Sequence, residues 1–534
     1  NHPIKNLPET IQVLKGQHAL KLEGLSVASA SDIQIDVYDA AGNLLCVSNP
    51  LRVISEAPLL HFWADLHGQS EETIGTNSAR ELIEFARDRA FLDAMSHQGN
   101  DFQITTPFWQ ELNRLTAQFN KNGEFIIFPG YEWSGNTGLG GDRNVMFMKE
   151  GRQIHRSHHA LVEDMSDVET DANSAVDLFK ALENEDCVVF AHIGGRYADI
   201  TIAHDSKIER SVEVHSDWGT FEWLLQDAFE QGYRVGILAN SDGHKGRHGA
   251  SHPGASLFGA YGGLSCLLAK DLSRESIFAA LRNRHHYATT GTRAYLSTKV
   301  IFNQPASLYN EDPNMGGTVC AQVTEAMMGD ILSCKDEAVT FEIEVSAGAP
   351  IERIEIRNRT KVIETWRPYG EAELGSRIRI IWEGSEYRGR GRQTVWDGQA
   401  SFQGNELLSF ASINMWNLDK QIHQSGKSEL TWKALTTGGF GGADIVLKDP
   451  KAGTVHLKTP LIDASINIQD IGLQDIVLST GGGIQRQARV FRLPNDNATR
   501  SAKIKHEIQR NRITEDALYV CVTLEDGHFI WSSP

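Results

Sequence analysis

LLHFWADLHG (59–68) is a short apolar run that passes directly into an Asp and a His. The pattern recurs in AFLDAMSHQGND (90–101), EFIIFPGYEW (124–133), DCVVFAHIGG (186–195), SVEVHSDWG (211–219) and RVGILANSDGH (234–244). Runs rich in Val, Ile, Leu and Phe, closed by turn residues, read as buried parallel strands. Acids and imidazoles just past several such strands converge at the C-terminal mouth of a barrel, where metal and catalytic sites are built.

The intervening segments carry apolar residues at helical spacing. These are SARELIEFARDRA (78–90), PFWQELNRLTAQF (107–119), SAVDLFKALEN (174–184), FEWLLQDAFEQG (221–232) and SRESIFAALRNR (273–284). Pro107 and Ser273 are first-turn or cap residues. Strand–helix alternation over 59–290 predicts an α/β layer with a parallel sheet or barrel. Upstream, residues 1–58 read as a small β domain or β lead-in, with AAGN (40–43) as a hairpin turn. Downstream, 291–534 reads as a β-sandwich-like C-terminal region, built from alternating runs such as VTFEIEVSAG, IERIEIRNRT and QARVFRLP. Within it, 383–444 is rich in Gly, Ser, Gln and Trp and reads as a long loop region.

At 534 residues the chain exceeds one ordinary core, so two or three domains are expected. A formal net charge of -18 argues against a nucleic-acid binder. It leaves room for an anionic substrate, because divalent cations reverse the local field. No apolar stretch approaches the ~20 residues that span a bilayer, so no membrane partner is expected. The opening NHPIKNLPET lacks a signal pattern, and the first residue is not Met. A soluble protein is expected, with cytoplasm and periplasm both open. The six cysteines form no CxxC pair, which speaks against a disulfide framework and thiolate zinc sites. Cys187 and Cys266 sit in apolar runs and read as core. The C-terminal Trp residues, among them Trp382, Trp396, Trp416 and Trp432, read as core packing before a sugar-stacking face.

The chemistry lies at the strand ends. His67 and Gln69 are two apart and can face one site, and Asp65 on the same side is expected to hydrogen-bond a ligand imidazole from behind. His97, Glu132, His192, His215, Asp242 and His244 follow in order. Imidazoles mixed with carboxylates suit Zn, Mn or Fe. Taken singly each His reads as structural; the ordered set with Glu132 and Asp242 reads as a metal centre. Glu72 reads as a helix-start carboxylate. GNTGLGGDRN (135–144) reads as a loop after PGYEW and not as a phosphate-binding Walker pattern.

This series resembles the PHP superfamily of metal-dependent phosphoesterases over roughly residues 60–290. DLHGQS (65–70), SHQ (96–98), PGYE (129–132), AHIGGR (191–196) and NSDGH (240–244) are similar to its motifs, in order. DLHGQS with SHQGNDF and HIGGRYAD also resembles a large branch carried as a domain of unknown function. The resemblance implies a distorted (β/α)7 barrel of PHP type with up to three metals. It implies one cation on His67, Glu132 and Asp242, a second on Glu132, His192 and His215, and a third on His97 and His244. Gln69 stands where an opening His is usual, Ser96 replaces an Asp, and no His lies between Gln69 and His97. Two divalent cations are therefore expected before three.

The expected activity is metal-dependent hydrolysis of a phosphoester, mono- or diester, of a small organic molecule by metal-activated hydroxide. Arg196, and after it Arg143, are expected to fork onto the phosphate. Two alternatives stand beside it: hydrolysis of a lactone, ester or amide, and a non-catalytic binding protein on a decayed barrel. Oligomeric state is not legible.

Overall fold

The five amphipathic segments form helices where their apolar spacing places them: Ala79–Asp88, Thr106–Phe119, Ala175–Leu182, Glu222–Glu230 and Arg274–Arg282. The computed structural model describes residues 4–252, 260–385, 393–481, 486–510 and 515–534. Ser78 caps the first helix in a capping box with Glu81, and Ser273 caps the last. The Glu72 carboxylate accepts from Ala79 N at 3.1 Å, at the positive end of the first helix.

The apolar runs become strands, in two groups of parallel neighbours. Leu60–Asp65, Ala94–Ser96 and Ile126–Phe128 run parallel in one sheet. Cys187–Ala191, Glu209–Ser216 and Gly236–Ala239 run parallel in another. Between them, Gly130–Trp133 pairs antiparallel with Arg143–Phe147, and the latter pairs antiparallel with Cys187–Ala191. The link over 134–142 is too short for a parallel crossover, which takes a dozen or more residues, so it can only make an antiparallel turn. On the other side, Leu264–Ala269 pairs antiparallel with both Leu60–Asp65 and His286–Thr289.

Among the described residues no sheet closes into a barrel, which corrects the (β/α)7 expectation. The fold is mixed α/β, rich in strands, with several open sheets. The physical reason lies at two seams. Pro129 has no N–H to donate and separates Ile126–Phe128 from Gly130–Trp133, which belong to different sheets. Between Gly236–Ala239 and Leu264–Ala269 a side chain replaces the ladder: Ser265 Oγ accepts from Ala239 N at 3.1 Å and donates to Ala239 O at 2.8 Å.

The first sheet has nine strands and continues beyond residue 290: Phe529–Ser532, Leu518–Leu524, Ile351–Asn358 and Lys361–Trp366 extend it past His286–Thr289. Its outer part shares a core with the sheet built on Tyr295–Tyr309. Two further five-stranded antiparallel sheets, centred on Arg377–Glu383 and Gly398–Gln403, share another core. Trp382, Trp396 and Trp432 are buried there, and the Trp382 and Trp432 rings stack at 4.6 Å. Part of the stretch expected to be loop is therefore strand, including Gly398–Gln403, Leu407–Ile413 and Glu429–Trp432; residues 386–392 lie outside the described set. At the N-terminus Asp36–Tyr38 pairs with Leu44–Val47 around the expected turn. Cys187 and Cys266 are buried, as expected of core residues. Among the described residues no helix is long and apolar enough to cross a membrane.

Candidate metal centre

The loops past the strand ends are stitched to one another before any side chain is considered. Gly68 bridges Gly243, Asp242 N donates to His67 O at 2.9 Å, and Gln69 N donates to Gly243 O at 3.0 Å. Asn100 bridges Glu132. A Cβ on Gly68 would strike the His248 ring, so only glycine permits this approach. Asp242 has φ +48°, a left-handed conformation that Asp tolerates better than most residues. Such strain concentrates at ligand-binding sites.

These constraints bring His67, Glu132, His192 and Asp242 together, all buried. His67 Nε2 lies 3.2 Å from Asp242 Oδ1 and 3.7 Å from Glu132 Oε2. His192 Nε2 lies 3.6 Å from Glu132 Oε1, and its ring meets that of His67 edge-on at 4.4 Å. His244 stands at the rim with Nε2 3.4 Å from Asp242 Oδ1.

Two acids not anticipated from the sequence complete the group. Glu213 Oε2 lies 3.2 Å from His67 Nδ1 and accepts from Asn240 Nδ2 at 2.7 Å. Asp142 joins Glu132 and His192, with one donor atom of each lying within 4.8 Å of the others. A carboxylate within the apolar run SVEVHS was a usable signal for Glu213. Asp142 lies in the Gly-rich loop, and no local pattern marks it.

The other expected site residues take different roles. His215 is not brought to the group: its Nδ1 lies 2.9 Å from Thr220 Oγ1 and its Nε2 2.9 Å from Tyr261 O. A register shift between Glu213 and His215 breaks the i, i+2 alternation, so Glu213 faces His67 and His215 does not. His97 has Nε2 2.8 Å from Ser70 Oγ, and its Nδ1 accepts from Gly99 N at 3.1 Å. Asp65 accepts from Ser241 N and Gly249 N, both at 2.9 Å, and so anchors backbone where a bond to a ligand imidazole was expected. Gln69 donates to Glu132 Oε2 at 3.1 Å while its own oxygen accepts from Thr73 Oγ1 at 2.9 Å. Arg143 is buried, and its guanidinium is taken up by Glu209 and the carbonyls of Gly140, Gly141 and Ala203. Arg196 sits at the rim, with Nε donating to Asp142 Oδ1 at 2.9 Å and its guanidinium over the Phe102 ring.

Charge dominates the electrostatics. Burial opposes protonation of His67, but Asp242, Glu213 and Glu132 together raise its pKa well above the usual imidazole range. Burial, with the nearby His67, lowers His192 to about 4, so His192 is neutral, the form that ligates metals. Burial and then Glu132 push Asp142 up to about 7. Four buried carboxylates thus face few cations, and His67 Nε2 and both His192 nitrogens are buried without a hydrogen bond. Surplus negative charge with orphaned imidazole nitrogens fits a divalent cation. Three overlapping groups could hold one: His67, Glu132 and Asp242; Glu132, Asp142 and His192; and His67, His192 and Glu213.

The chain matches the family described as "Protein of unknown function (DUF3604)" over residues 36–210 and 244–373, more than half its length, and it belongs to that family. It is similar to uncharacterized proteins of Chlamydia pneumoniae (23% identical, covering 50% of this chain and 45% of that protein) and Chlamydia trachomatis serovar D (22%, 63% and 54%). The chain spans about half the length of these curated relatives. A solved structure from Bacteroides vulgatus, described as a two-domain protein containing a predicted PHP-like metal-dependent phosphoesterase, aligns with TM-score 0.29 and 10% identity, covering 78% of this chain and 97% of that one.

Proposed function

We propose that this protein is a metal-dependent hydrolase that cleaves a phosphoester of a small organic molecule. The observation that carries the reading is the gathering of His67, Glu132, His192 and Asp242 into overlapping buried ligand groups, with orphaned ring nitrogens. His67, Glu132 and Asp242 would hold one cation and Glu132, Asp142 and His192 a second, Glu132 being shared. Nitrogen and carboxylate donors suit Zn, Mn or Fe. When bound, such cations supply Lewis acidity that ionises water near neutral pH and offsets phosphoryl charge.

The chain's own residues prepare that chemistry. Glu213 holds His67 Nδ1, which turns Nε2 into the site. Gln69 and Ser134 donate to opposite oxygens of Glu132, at 3.1 and 3.2 Å, and fix its carboxylate plane. Arg196, tethered to Asp142, is the rim cation that would orient an anionic substrate.

The test strips metal from the purified protein and restores Mn, Zn or Fe before assay against phosphomonoesters, phosphodiesters, lactones and amides. Metal-restored turnover of a phosphoester supports the reading. Turnover of carbon esters alone moves the activity to carbon; no bound metal removes the hydrolase.

A further inference from the structure

A cavity of about 840 Å3 opens at the end of the strand Gly236–Ala239 remote from Asp242, beneath the sheet built on Tyr295–Tyr309. None of the metal-site residues lines it. The volume is that of a small-molecule pocket. Its walls mix apolar side chains, Val300, Phe302, Met328, Leu332 and Phe341 among them, with charged ones. Met side chains adapt to irregular ligands.

One of the charged groups is buried without a carboxylate partner. Arg284 lines the cavity, is 5% exposed, and bonds only main-chain oxygens: Nε donates to Gly329 O at 3.1 Å and Nη1 to Arg282 O at 3.3 Å. Among the described residues no carboxylate forms an ion pair with it; Asp330 and Asp312 act only at longer range. Arg234 is paired with Asp312 and Glu515, Arg510 with Asp516 and Lys299 with Glu325. Arg359, half-buried at the wall, donates to the main-chain oxygens of Glu515 and Phe229, so Arg284 is the deeply buried one of these two arginines held by main-chain oxygens. Burial lowers Arg284 to about 10, which leaves it charged at neutral pH. A buried charge without a counter-ion is costly unless a ligand supplies one.

The backbone holds this guanidinium in place at some strain. Arg284 has φ +58°, and Gly329, with φ +89°, lies against its carbonyl where a Cβ would collide. Left-handed non-glycine residues persist where the surroundings over-determine them, often at ligand clamps.

We propose that this cavity binds an amphipathic organic anion, with its apolar body against Phe302, Met328 and Leu332 and its single anionic head on the Arg284 guanidinium. Carboxylate and phosphate heads share the geometry that a guanidinium fork accepts. The site is separate from the metal centre and independent of the reaction proposed there.

The experiment titrates the full chain with the fluorescent long-chain carboxylate cis-parinarate and displaces it with palmitate, hexadecyl phosphate, hexadecanol or acetate. Saturable binding is expected, with palmitate or hexadecyl phosphate about tenfold or more stronger than hexadecanol, from one charge-assisted contact, and no displacement by acetate. Whichever anion displaces better identifies the head group. Arg284→Met should bring the anions to the level of hexadecanol. Leu332→Trp, on the half-buried rim, should weaken every long-chain ligand, and it keeps the test decisive if Arg284→Met does not fold. Absence of saturable binding, equal affinity for palmitate and hexadecanol, or unchanged binding in Leu332→Trp would each overturn the proposal.

Discussion

Glu213 Oε2 stands 3.2 Å from His67 Nδ1, both side chains fully enclosed, and so sets which ring nitrogen of His67 faces Asp242. Carboxylate–histidine pairs of this kind fix ring orientation and raise ligand basicity. Glu213→Gln keeps the shape and removes the charge. We expect metal affinity to fall by about 10–100-fold with the fold intact, read by chelator competition and elemental analysis. Undiminished affinity would show that Glu213 does not act through His67.

His192 and His215 come from similar strand-end motifs but face different surroundings. His192→Ala should lose bound metal, because its Nε2 lies 3.6 Å from Glu132 Oε1 and makes no hydrogen bond. His215→Ala should retain metal and cost about 1–3 kcal/mol of stability, because it strands Thr220 Oγ1 and Tyr261 O. Elemental analysis with urea unfolding of both variants separates the two roles; metal loss in His215→Ala would return that residue to the centre.

Ser265 joins the two central sheets through one hydroxyl. Ser265→Ala leaves Ala239 N–H and C=O buried without that partner. We expect a loss of about 1–3 kcal/mol, measured as a shift in urea midpoint at constant m. An unchanged midpoint would mean that the seam closes by another contact.

The C-terminal sheets meet the nine-stranded sheet across a buried ionic network in which Glu352 pairs with Arg353 and Arg379. Burial alone would raise the Glu352 pKa, but Arg353, Arg379 and Arg367 hold it at about 2. A depressed folded-state pKa contributes stability that is present above the unfolded value of 4.5 and lost as pH falls toward 2. The loss across that window should be on the order of 3 kcal/mol. Denaturant midpoints between pH 5 and 2 measure it, and Glu352→Gln should flatten the slope while destabilising the protein by about 3–5 kcal/mol at neutral pH.

Much of the architecture was legible because it is local. The five helices carry their amphipathic spacing in consecutive residues, four of them with a side-chain cap, and the Asp36–Val47 hairpin carries its turn. The strand Arg143–Phe147 was missed because a Gly-rich approach masked a short buried run. Strands in 398–432 were missed because their alternation is diluted by Gly, Ser and Gln. At the centre, His67, Glu132, His192 and Asp242 were legible as an ordered series, whereas Asp142 was not, since nothing near it in the chain reports what it faces.

The chain by itself determined the five helices and the six apolar runs that become strands, because periodicity and apolar clustering act over a few residues. Tertiary structure alone decided that the sheets stay open at Pro129 and Ser265, and that a register shift faces Glu213 inward and His215 away. It also decided that Arg143 is buried on Glu209 and Arg284 in the wall of a cavity. Those outcomes depend on which distant groups satisfy a hydrogen bond or a charge, and only packing of the whole chain selects the partner.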